Sequence, residues 1–192
     1  MVESATRVKE EVTPNFGLII AYLIPGATAL YGISYFVPTV HGWFGASPEN
    51  APSLGGFLYL TIAAFAAGMT VSTVRWGSID SLHHATGIKP PALDFAELSG
   101  SVDAFDYLVT IHYHYYLFHA NSLIALAFAY VMRHVAFAPS GYQWGWWDAG
   151  FVVVEAIYFL GSRDNLSKYY RRTERLLSPK RARLHKERAH GP

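Results

Sequence analysis

From Phe16 to Val37 the chain runs for 22 residues without an Asp, Glu, Lys or Arg. At a helical rise of 1.5 Å per residue, such a run covers a bilayer core of about 30 Å. Pro25-Gly26 lies inside it. A proline has no N–H to give, so it kinks the helix and leaves the carbonyl near Ala21 without its usual donor. In hydrocarbon that carbonyl must find a partner within the protein. Three further apolar runs follow, at about 55–74, 115–137 and 146–162. The expected fold class is therefore an all-α integral membrane protein with four transmembrane helices.

The composition agrees with this. Charged residues make up 15% of the chain, against about 25% in an average soluble domain. The absence of cysteine excludes disulfides, thiolate chemistry and cysteine-based metal centres. No signal peptide is expected, since residues 1–15 carry charges of both signs.

Of the 15 Lys and Arg residues, 14 fall in the N-terminal segment, the second loop or the C-terminal segment, and only Arg133 falls elsewhere. Four spans place those three regions on one side. The positive-inside rule then puts both termini in the cytoplasm, N-in and C-in, of a bacterial inner membrane. Trp43-Phe44 and Trp144, Trp146 and Trp147 suit interfacial belts on the other side.

Three regions are expected: a cytoplasmic segment 1–15, a transmembrane domain 16–162 and a basic cytoplasmic tail 163–192. The third helix is expected to run from about Val102 to Phe137, too long for the bilayer alone, so its start stands out in the cytoplasm. Ser78 to His84 reads as a helical turn lying on the membrane. Ala63 and Ala67, like Ala64 and Gly68, are four apart, as are Asn121, Ala125 and Ala129, which favours close helix contacts within or between subunits. In the tail, Leu166, Tyr169, Tyr170, Thr173, Leu176 and Leu177 form a mostly apolar stripe. This reads as a basic amphipathic helix on the membrane surface or against a partner.

Glu155 is the first candidate for chemistry, because an ionisable residue inside a span is costly. Tyr22, Thr70, His119 and Asn121 fall near its depth, so four helices are expected to contribute to one intramembrane polar layer. The plain structural role for Glu155 is a protonated carboxyl bonded to Asn121, His119 or Tyr22. Next come His83, His84, His112, His114 and His119, as a metal-binding or pH-sensing set. The three histidines of the third helix are two, five and seven apart, whereas helical ligand pairs sit at i,i+4 or i,i+3. Membrane di-iron hydroxylases and desaturases need H-x-x-x-H and H-x-x-H-H patterns, which the chain lacks. An amphipathic belt at the membrane surface accounts for these rings equally well. Third, Lys168, Arg171, Arg172, Arg175, Lys180, Arg181 and Arg183 suit anionic lipid headgroups or a protein partner. Nucleic acid is the weaker use of the same charge, as no base-stacking fold accompanies it.

No P-loop, G-x-G-x-x-G, G-x-S-x-G or H-E-x-x-H occurs. The expected function is accordingly non-enzymatic and cofactor-free: an oligomeric membrane sensor, scaffold or effector coupling the bilayer to a cytoplasmic partner, as in phage defence. An oligomeric ion or proton channel with Glu155 in its pathway is the alternative. A metal-dependent oxidase or hydroxylase using the histidines comes third.

Overall fold

A computed structural model describes residues 2–44, 54–141 and 143–177, with backbone only for 2–16, 18 and 97. The described residues contain helices and no strand. α1 (Val2–Ser34) leads through α2 (Pro38–Phe44) to α3 (Leu54–Arg75), which continues without a break through a π-helical turn (Trp76–Asp80) into α4 (Ser81–Ala85). A 3-10 turn (Phe95–Gly100) precedes α5 (Val102–Leu108). A second π turn (Val109–Tyr113) joins α5 to α6 (His114–Phe137), and α7 (Trp146–Leu176) closes the described chain. Two of these helices, Leu54–Ala85 and Val102–Ser140, are long and apolar enough to cross a membrane.

Three expected boundaries shift. Residues 2–15 are not a separate element, because α1 is helical from Val2 through Ser34. Ser78 to His84 does not fold back onto a surface but extends α3 in line. The basic segment after Arg163 is not a separate amphipathic helix either. Trp146–Leu176 is one helix, about 46 Å long.

α1 lies between α3 and α6, and α7 packs mainly on α6. Glycine fixes how closely the first three approach. A Cβ on Gly26 would fall on the Ala64 carbonyl oxygen and 2.6 Å from the Gly68 nitrogen; a Cβ on Gly68 would fall on the Tyr22 carbonyl. On another face of α1, a Cβ on Gly32 would come 2.8 Å from the Ala129 Cα. The faces of Ala64 and Gly68, and of Ala125 and Ala129, are thus used inside the chain.

The same crossing resolves the carbonyl freed by Pro25. Asn121 Nδ2 on α6 donates to the Ala21 oxygen at 2.9 Å, and both residues are fully buried. A side chain a hundred positions away thus replaces the N–H that proline lacks. An unsatisfied buried carbonyl would cost about 1–3 kcal/mol.

Candidate functional site

At one end of the bundle α3, α6 and α7 run on past their apolar stretches, and polar side chains tie the extensions together. Arg75 Nη1 donates to both oxygens of Asp80, at 2.7 and 2.9 Å, and to the Tyr116 hydroxyl oxygen at 3.0 Å. The Tyr116 hydroxyl donates to Asp80 Oδ1 in turn. The Arg75 guanidinium also lies over the Tyr116 ring, 5.2 Å from its centre. Five residues apart on an α-helix lie about 140° apart around the axis. The intervening π turn brings Asp80 back over Arg75, because its hydrogen bonds run i→i+5. The π geometry is therefore what forms the ion pair.

α7 joins the same end at three points. His83 Nε2 lies 2.9 Å from Ser162 Oγ, and the Ser162 hydroxyl donates to the Phe159 carbonyl at 2.8 Å. With its hydrogen used there, Ser162 accepts from His83, which places the imidazole proton on Nε2. The pair has the spacing of a nucleophile and its base, but the proton is on the wrong partner and both side chains are fully buried. Arg163 donates to Thr86, to Oγ1 at 2.6 Å and to the carbonyl at 2.8 Å, capping the end of α4. His84 and Tyr170 meet at 3.3 Å.

The histidines do not form one centre. His83 and His84 face α7, His112 is buried beside Asn165 of α7, and His114 packs against Gly17 on α1. His119 donates to its own helix at the Tyr115 carbonyl, 2.6 Å. Among the described residues no three His, Asp or Glu side chains are placed to hold a metal.

Burial, the largest cause in each case, pushes His83, His112 and His114 below the usual histidine value of 6.5. The cations Arg163 near His83, and Arg172 and Lys168 near His112, act in the same direction. Opposing it are Asp80 at His83, the Asn165 side chain and then Asp164 at His112, and Asp106 at His114. A histidine with a lower pKa folded than unfolded contributes stability that is full above the unfolded value and lost as pH falls toward the folded one. Acidification from about pH 7 to about pH 5 should therefore lower the protection factors, taken relative to the intrinsic exchange rate at each pH, at 76–86 and 109–116. Unchanged protection at pH 5 would contradict this.

No hydrogen bond joins the members of the expected intramembrane layer to one another. Asn121 is committed to Ala21, Thr70 donates to the Ala66 carbonyl of its own helix, and His119 is held by Tyr115. The Tyr22 ring lies against Phe65. Glu155 Oε1 is buried with no hydrogen-bond partner, so the expected bond to Asn121, His119 or Tyr22 is absent. At the opposite end of the bundle is a cluster that sequence reading missed. Asp148 accepts from the Tyr130 hydroxyl at 2.8 Å and from the Gly145 N–H at 2.6 Å, with His134 Nε2 3.4 Å away.

The apolar stripe of the basic segment faces inward: Leu166, Thr173 and Leu177 are buried. Lys168 pairs with Asp164 on its own helix, while Arg171, Arg172 and Arg175 remain exposed. Arg172 and Arg175 flank a shallow groove floored by Ala104, Leu108 and Leu176. Lys180, Arg181 and Arg183 lie outside the described residues. Comparison with protein-family models, curated proteins and solved structures finds no match to this chain.

Proposed function

We propose that the chain is a four-span bacterial inner-membrane protein with both termini in the cytoplasm, which couples the bilayer to a cytoplasmic protein partner. The supporting observation is that α3, α6 and α7 each run unbroken from an apolar stretch into one tied polar head. Continuous helices tied at the head give a tilt or shift within the bilayer a direct route to it. The span assignment is supported by the outward apolar faces. Phe57, Leu58, Ile62 and Met69 on α3 and Val152, Val153, Ile157 and Leu160 on α7 are all more than half exposed, a burden in water and natural against lipid. Self-association would use these outer faces, since the small-residue faces are taken up within the chain.

A protein partner suits the free cations better than lipid does. Arg172 and Arg175 stand ten and thirteen residues beyond Ser162, or about 15–20 Å along the helix. That is above the lipid phosphates if the span ends near Ser162. The groove they flank faces the cytoplasm in this orientation and would take an acidic segment.

A photo-crosslinking amino acid in place of Arg172 should give a discrete adduct with a second protein in cells, and one in place of Val153, on the outer apolar face, should not trap that protein. Replacing Arg171 and Arg175 with Gln should weaken the adduct. A reporter fused after Pro192 should be cytoplasmic. Adducts with lipid alone would overturn the partner, and an external reporter would overturn the orientation.

A further inference from the structure

Glu155 has no part in the coupling described above. It lies seven residues from Asp148 and seven from Ser162, about 10 Å each way along α7. Seven residues are close to two helical turns, so all three lie on one face. Each end of that face is tied off, Asp148 by Tyr130 and Ser162 by His83. Between them the buried Glu155 Oε1 has no partner, on a helix otherwise lined there by Val152, Val153, Val154 and Ile157. A carboxylate oxygen in that setting is costly, and the ligand that removes the cost is a proton.

The two sides of Glu155 differ. Toward the polar head, Tyr158 is one turn along, and its ring meets His119 at 5.7 Å. His119 in turn lies against Gly161, beside the Ser162–His83 pair. Tyr158, His119, Ser162 and His83 each carry a group that can give and take a proton. Toward the opposite end, Phe151 stacks on Tyr130 at 3.7 Å with the rings nearly parallel at 4°. That stack separates Glu155 from the Tyr130–Asp148–His134 cluster.

We infer that the α6–α7 seam is a proton pathway, with Glu155 as its central carrier and the Tyr130–Phe151 stack as its outer gate. The inference rests on the four-span arrangement proposed above. The Glu155 carboxylate accepts a proton from one side, forming an O–H bond, and that bond breaks on release to the other side. One positive charge moves, and nothing is oxidised or reduced. The charged groups at its ends are His134 and Asp148 at the outer end, and His83, with Arg163 and Asp80 near it, at the inner end.

The test uses the full chain in phospholipid vesicles loaded with a pH-sensitive dye, with a potassium diffusion potential driving protons inward. Alkaline extraction confirms insertion of every variant. The wild-type chain should carry protons above the protein-free background, and Glu155→Gln should return the rate to that background. Phe151→Ala should raise the rate, and adding Glu155→Gln to it should abolish the gain. Inserted wild-type protein with only background flux would overturn the pathway while leaving the spans intact. Equal rates for Phe151→Ala with and without Glu155→Gln would remove Glu155 from it. Failure of the wild-type chain to insert would overturn the four-span reading itself.

Discussion

Replacing Gly68 with alanine should separate α1 from α3 and cost more than overpacking usually does. Added methylenes in a packed core typically cost about 1–3 kcal/mol, because neighbouring side chains turn aside. Here the neighbour cannot turn. The added Cβ meets the backbone carbonyl of Tyr22, and a Cβ on Gly26 meets that of Ala64. Relief requires the helices to move apart, which loosens the packing of Ala21, Leu30 and Ala64. We expect thermal unfolding of the detergent-solubilised protein to shift down sharply for Gly68→Ala and Gly26→Ala. Gly150 provides the control, since it lies inside α7 with nothing near its added Cβ. Gly150→Ala should be neutral or stabilising by up to about 1 kcal/mol, from helix propensity alone. If Gly68→Ala melts with Gly150→Ala, the close crossing is not present in solution.

The contrast between these glycines shows what could be read from the sequence alone. Small residues four apart announce a close crossing, and Ala64 and Gly68 make one. Proline announces a freed carbonyl at the fourth residue before it, and Ala21 has one. What supplies the donor is not legible, because no local pattern connects Asn121 to a residue a hundred positions earlier. The partners of the polar-layer residues were hidden for a related reason. Thr70 and His119 bond to carbonyls of their own helices, a choice open to any helical Thr or His and invisible in spacing. The amphipathic stripe around Leu166 was legible as a stripe. Its cover was not, since the same pattern serves a membrane surface, a partner or the chain's own core. The Arg75–Asp80 pair lay deepest, because its spacing works only on a π turn and nothing in W-G-S-I-D declares one.

That pair yields the second large effect. Arg75 is 6% exposed, and its charge is matched by Asp80 alone among the carboxylates that hydrogen-bond to it. Removing one member of a buried pair leaves the other uncompensated, at about 3–5 kcal/mol. Asp80→Asn and Arg75→Met should each destabilise on that scale. Tyr116→Phe should cost less, about 1–3 kcal/mol, since it removes one hydrogen-bonding hydroxyl while the ion pair stays. The informative variant is the double replacement Arg75→Met with Asp80→Leu. Replacing both charges with apolar groups removes the uncompensated charge, so much of the lost stability should return. The link between α3 and α6 should not return with it, because the bonds to Tyr116 are gone. Hydrogen exchange at 109–116 would then stay fast in the double variant although its melting temperature recovers. If exchange and melting recover together, the pair is only a stabilising contact, and the proposed coupling does not run through it.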